Sequence, residues 1–253
     1  MTVARPVRTA RRGPWLVAIS VVVVSIGIGV LHSPWLSLQT IEVVGAREAA
    51  VTDRIAATGL GEGAIMVWID TNALVEAVSA DPWVADVRIQ REFPDRLVVE
   101  VLEHTPAAWI EGADGWMLVS ADGTVLETAA SPASGLLRAR IAAPSVAIGG
   151  SSDERVWREV VALAQVLPPE VAAGEVGFRA DELWMVAPDV EIRFGTPMDL
   201  VDKGRVVAGI LANGVPVGAT IDVVAPRRPA VVPPPPLLVS DPRPVVEGDT
   251  AEP

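Results

Sequence analysis

The sequence predicts an α+β protein in three parts: a single N-terminal transmembrane helix, a small β-α-α-β-β domain, and a β-rich domain with flanking helices. Three observations predict it. A long apolar run near the N-terminus carries no charge. From residue 36 on, period-two alternation of apolar and polar residues recurs, interrupted by stretches at helical spacing. Beyond residue 225 proline becomes too dense for a sheet to continue. The chain of 253 residues has room for one or two compact domains outside the apolar run.

The first thirteen residues form a basic tail, with Arg5, Arg8, Arg11 and Arg12 and no acid among them. Residues 14–36 form the membrane span. Trp15 to Leu31 is nearly continuous apolar sequence, and Trp35-Leu36 extend it. The stretch from Trp15 to Trp35 rises about 30 Å as a helix, the thickness of a bilayer core. The two tryptophans then fall where aromatic belts sit. The arginines precede the span, so the positive-inside rule puts the N-terminus in the cytoplasm and the remainder outside. A cleaved signal peptide is the bland alternative, but His32-Ser33-Pro34-Trp35 is a poor cleavage context.

Residues 37–106 form the small domain. Leu36 to Gly45 alternates as a half-buried strand does. Val51, Ile55 and Leu60, with Gly59 between, suggest a short helix closed by glycine. Thr71 to Ala80 places Leu74, Val75 and Val78 on one helical face before Pro82. Val84 to Gln90 and Arg96 to Glu103 are strands joined by the turn Phe93-Pro94-Asp95. Trp83 and Val87 are expected in this core.

Residues 107–225 form the β-rich domain. Ala108 to Ile110 and Trp116 to Ser120 are short strands around Gly112-Ala113-Asp114-Gly115. Asp122-Gly123 turns the chain into Thr124 to Glu127. Ser151-x-x-Glu154 reads as a capping box opening a helix with Val156, Val160, Leu163 and Leu167 on one face, ended by Pro168-Pro169. Strands follow around Glu175 to Phe178, Leu183 to Ala187 and Val190 to Phe194. A last helix starts at Thr196-Pro197 and stops at Asn213-Gly214. Thr220 to Val224 is read as the final strand. Residues 226–253 read as a Pro-rich disordered tail, either a solvated spacer or a ligand for an SH3-like partner.

Composition excludes much chemistry. There is no cysteine, and there are two histidines and net charge −12. Thiolate nucleophiles, Cys-rich zinc sites and HExxH spacing are therefore out of reach. Lys203, the only lysine, fits neither a Ser-x-x-Lys nucleophile nor a Walker motif. An acidic body is a poor nucleic-acid binder. No catalytic residue, metal ligand, cofactor or small-molecule substrate is expected, and the chain reads as a non-enzyme.

The run from Ile41 to Glu127 resembles the FtsQ/DivIB family. The resemblance rests on Val43-Val44-Gly45, on Ile69-Asp70, and on the stretch from Asp81-Pro82-Trp83-Val84 through Val87-Arg88 and Pro94-Asp95-Arg96-Leu97. It continues through Val99-x-Val101-x-Glu103-x-x-Pro106-Ala107-Ala108-Trp109 and Leu118-Val119-Ser120-Ala121-Asp122-Gly123. Ser120 stands where the family usually has Asp. The match is loose between about 128 and 190 and partly returns at Lys203 and Ile221-Asp222-Val223. The resemblance implies that residues 37–106 are a POTRA domain and that the protein is a non-catalytic scaffold of the division septum. The implied partners are the coiled-coil proteins FtsB (DivIC) and FtsL, and through them the septal peptidoglycan synthase pair FtsW and FtsI. A membrane-anchored POTRA chaperone module of an envelope export system is the alternative reading.

The expected partner-binding residues are Thr220, Ile221, Asp222, Val223, Val224, Ala225, Arg227 and Arg228. In sequence no later strand covers Thr220 to Val224, and Pro226 and Pro229 oppose further pairing. The resemblance implies that the β-domain receives a partner segment by strand addition there. Arg227 and Arg228 either meet acidic partner residues or are solvated basic residues opening a tail.

Overall fold

The computed structural model describes residues 13–31, 36–45, 48–61 and 63–234. Residues 1–12 of the expected basic tail, residues 32–35 of the expected span and residues 235–253 of the expected Pro-rich tail lie outside the described residues. The chain divides into two compact units. One runs to Pro106 and takes in Thr124–Thr128 and Val146–Ser151; the other takes Ala107–Gly123, Ala129–Ser145 and the chain from Ser152.

Helix α1 (Gly13–Leu31) is 19 residues long. Its described side chains, including Trp15, Val17, Val22 and Val23, are exposed. Those of Pro14, Leu16, Val30 and Leu31 lie outside the described residues. Among the described residues, no helix is long and apolar enough to cross a membrane.

The small β-α-α-β-β domain is present. β1 (Thr40–Val44), α2 (Glu48–Ala57), a 3-10 turn at Met66–Trp68, α3 (Thr71–Ser79), β2 (Val84–Glu92) and β3 (Arg96–Glu103) follow in order. The sheet order is β1-β3-β2, with β3 parallel to β1 and antiparallel to β2. Alternation on β3 buries Leu97, Val99 and Val101 against Leu38, Val51, Ile55, Met66, Ile69, Leu74 and Val78. Val87 packs against this core half-buried. Trp83 is also half-buried and lies outside the core cluster; it sits where the chain leaves α3, before the sheet closes over the helices.

Three of the family-like residues here, Asp70, Gly45 and Asp81, have a mechanical reason. Asp70 caps α3, its carboxylate accepting from the Asn72 and Ala73 N–H groups at 3.0 and 3.2 Å. Gly45 has φ +125, and a Cβ there would run into the Val101 carbonyl. The Asp81 carboxylate takes the Trp83 N–H at 3.0 Å and the Arg54 Nε at 3.2 Å, joining α2 to the exit of α3.

The larger sheet has nine strands. They are β4 (Pro106–Gly112), β5 (Gly115–Ser120), β6 (Val125–Ala129), β7 (Leu137–Arg140), β8 (Glu175–Arg179), β9 (Glu182–Val186), β10 (Val190–Gly195), β11 (Ala219–Asp222) and β12 (Ala230–Val232). Their order is β12-β11-β10-β9-β8-β7-β4-β5-β6. The helices are α4 (Arg155–Ala164), α5 (Pro169–Ala172) and α6 (Leu200–Ala212). Trp157, Val160, Val161 and Leu163 form the buried face of α4.

Two helix starts differ from expectation. The capping box of Ser151 and Glu154 does not form: α4 has Glu154 at its N-cap with no side-chain cap, and Ser151 bridges Thr124 instead. Helix α6 starts at Leu200 rather than after Thr196, because the Thr196 carbonyl is already taken by Met198 N–H and Lys203 Nζ. The cap comes from another helix: Glu159 on α4 accepts the Leu200 N–H at 2.8 Å.

Two strands also depart from expectation. β7 lies in the stretch where no element was expected. β12 lies inside residues 226–253, so the folded chain continues at least to Val232 and the tail does not begin at 226. Pro229 and Pro233 flank this strand without interrupting it, a placement that costs no ladder donor within it.

Candidate partner-binding edge of the β-rich unit

The chemistry of this end of the sheet begins with strand alternation. Ile221 and Val223 are fully buried, while Thr220 and Asp222 are half-exposed on the opposite face. β11 lies parallel to β10, with Glu191 opposite Thr220, Ile192 opposite Ile221 and Arg193 opposite Asp222. Its other side is covered: β12 pairs antiparallel with it, matching Thr220 to Val232, Ile221 to Val231 and Asp222 to Ala230. The expectation that Thr220 to Val224 forms the free edge is therefore corrected. Among the described residues the terminal strand is β12, which the proline-rich composition concealed. Its only sequence signal was the β-branched pair Val231-Val232 between two prolines.

The remaining expected residues connect the two strands. Val223 continues the ladder, its N–H donating to the Arg193 carbonyl at 2.9 Å. Val224 closes against Gly195, where its side chain leaves no room for a Cβ and the backbone sits at φ +69. Its N–H donates to Asp222 Oδ1 at 3.0 Å. Arg228 N–H donates to the Ala225 carbonyl at 2.9 Å, closing the turn into β12. Arg227 and Arg228 are exposed in that turn and make no ion pair among the described residues.

The outer face is braced by a charge ladder. Arg193 Nε and Nη2 each reach a Glu182 carboxylate oxygen at 2.7 Å, and Nη1 reaches Asp222 Oδ2 at 3.0 Å. One guanidinium thus ties β9, β10 and β11 together in a bidentate arrangement. Hydrogen bonding from Arg193 holds the Glu182 carboxyl below its ordinary range. The same bond raises the guanidinium, with Asp222 adding to it. Arg193 and Arg179 lie 5.8 and 5.1 Å from the Trp184 ring centroid.

Behind the sheet, Lys203 is the one buried cation among the described residues. Its Nζ donates to the Phe194 and Thr196 carbonyls at 2.8 and 2.9 Å, fixing the end of β10 to α6. Burial lowers its pKa, while Asp199 and Glu159 oppose the shift. It holds two backbone oxygens. Among the described residues no cluster of His, Cys, Asp or Glu could hold a metal ion. What the edge can do chemically is present main-chain donors and acceptors to another strand.

The comparisons agree on the first unit and extend beyond it. Residues 36–104 match the model of the POTRA domain, FtsQ-type. The cell division protein FtsQ of Mycolicibacterium smegmatis is 28% identical over 229 residues, covering 86% of this chain and 63% of that protein. That of Mycobacteroides abscessus is 24% identical over 220 residues, covering 85% and 68%. That of Corynebacterium glutamicum is 31% identical over 109 residues, covering 43% and 49%. The chain thus spans less than two thirds of the Mycolicibacterium and Corynebacterium relatives' own length. Residues 36–104 thus carry an FtsQ-type POTRA domain, and the similarity of the chain to FtsQ proteins runs on through the β-rich unit.

Proposed function

We propose that this protein is a non-catalytic scaffold of the bacterial division machinery, anchored in the cytoplasmic membrane by residues 14–36 with the chain beyond the span outside. It binds FtsB (DivIC)-like and FtsL-like coiled-coil proteins and through them helps assemble and control septal peptidoglycan synthesis by the FtsW/FtsI pair. The observation that carries the reading is the similarity to FtsQ proteins over more than four fifths of the chain. It is supported by a sheet end rich in backbone pairing groups and poor in catalytic chemistry.

The proposed docking site is the end of the sheet formed by β11, β12 and the turn between them. A partner strand adds to the outer edge of β12, extending the sheet that Thr220, Ile221 and Asp222 support from inside. Val231 and Val232 are 42% and 54% exposed, so the edge offers apolar side chains as well as main-chain groups. Arg227 and Arg228 stand beside it, available to acidic partner residues. Photo-crosslinking from position 231 in dividing cells tests this directly. The expected product joins this chain to an FtsB-like protein; a crosslink to export substrates would favour the chaperone reading instead. Protease added to intact spheroplasts tests the topology, and should digest the chain beyond about residue 36.

A further inference from the structure

The POTRA domain carries exposed aromatic side chains at one end only. Among residues 36–106 these are Trp68, 66% exposed, and Phe93, 60% exposed. Both sit at the end where the chain enters the domain. Ser37 bridges Ile65, and Leu38 N–H donates to the Ala64 carbonyl at 2.7 Å. Trp68 follows one turn later, its N–H donating to the Ile65 carbonyl at 2.9 Å. Phe93 is in the β2–β3 turn, where the Asp95 carbonyl accepts from Gln39 N–H at 2.9 Å. Arg91 Nη2 donates to the Ile69 carbonyl at 2.6 Å, bringing the two aromatic-bearing segments side by side.

We infer that Val67, Trp68 and Phe93 form a membrane-contact patch that seats the POTRA domain on the outer surface of the bilayer. The inference rests on the reading of residues 14–36 as a span. In that reading Trp35 lies at the outer interface. Ser37 then lies no more than about 7 Å further along the chain, and Ile65 is its bridged neighbour. Chain connectivity thus keeps the 65–68 segment close to the lipid headgroups. The chemistry fits that location. Gly63 to Ile69 contains no charged residue, so entry into the interface strips water from no ion. Tryptophan rings favour the headgroup level. Nearby Arg96 is paired with Glu42 at 2.6 Å and Glu92 at 3.1 Å; the trio stays net negative, so the patch seats through its apolar rings and not through attraction to anionic headgroups. Residues at the far end of the strands, such as Leu102, sit about 20 Å further along β3 from the Arg96 end that pairs with β1.

The chain has no cysteine, so single-cysteine variants of the full protein can be labelled without background. In phosphatidylcholine vesicles, fluorophores on Val22→Cys, Val67→Cys and Leu102→Cys are read against spin labels at the headgroup and deep in the acyl chains. The expected result is deep quenching at 22, headgroup-level quenching at 67 severalfold above that at 102, and a loss of the excess at 67 when Trp68→Ala is added. Deep quenching at 22 with equal, weak quenching at 67 and 102 overturns the patch while the span stands. Absence of quenching at 22 overturns the span reading, and the patch with it.

Discussion

Val223→Pro tests the pairing of β11 with β10. In the structure the Val223 N–H donates to the Arg193 carbonyl at 2.9 Å, and the side chain is fully buried. Proline removes the donor and orphans a carbonyl between packed strands, which costs about 1–3 kcal/mol. The ring must also fit a packed site shaped for valine, adding roughly 1 kcal/mol or more. The sum, about 2–4 kcal/mol, is a sizeable share of a domain's net stability of roughly 5–15 kcal/mol. For a unit of this size it corresponds to a fall in Tm of roughly 8–15 °C. The assay is thermal unfolding of a soluble fragment spanning residues 36–234, followed by circular dichroism. Were Val223 neither bonded to β10 nor packed beneath the sheet, the same substitution would face solvent and shift stability by at most about 0.5 kcal/mol. A Tm within two degrees of wild type would therefore refute the pairing of β11 with β10 at Val223.

Three further outcomes follow from the same contacts. Gly45→Ala forces an alanine to φ +125 and a Cβ onto the Val101 carbonyl, so the POTRA domain should lose on the order of 1–3 kcal/mol, read as earlier urea unfolding of residues 36–106. Lys203→Met leaves the Phe194 and Thr196 carbonyls without their donor and should destabilise the β-rich unit by roughly 1–3 kcal/mol, with faster amide exchange at the start of α6. The Glu182 carboxyl is held below 4.5 by Arg193, so its contribution is full above that value and is lost as pH falls through the depressed folded-state pKa. The Tm difference between wild type and Glu182→Gln should accordingly stay constant above about pH 5 and shrink in more acidic buffer; a difference that grows on acidification would contradict the pairing.

The POTRA domain was legible because each of its elements announces itself locally. Strand β3 alternates cleanly, Asp70 offers a helix cap, and Gly45 ends β1 where no side chain fits. The β-rich unit was legible only in part. β7 is four residues long, with two buried apolar positions, too short a period to stand out from loop sequence. The start of α6 was misplaced because its cap is Glu159, forty-one positions away, and no local motif encodes a cap supplied by another helix. The edge of the sheet was misassigned for a similar reason. Proline density around residues 226–236 argues correctly against a long strand, yet three residues between prolines suffice when β11 already supplies the ladder. Trp83, expected in the core with Val87, is half-buried at the helix exit.

The proposed function places a partner strand on the outer edge of β12. Successive N–H groups of a strand point to opposite edges, so of Val231 and Val232 one faces β11 and the other the open side. Co-purification of the FtsB-like protein with Val231→Pro and Val232→Pro, alongside their melting temperatures, tests the claim most directly. One of the two should keep its wild-type Tm and lose the partner, whereas full recovery of the partner by both folded variants would contradict it.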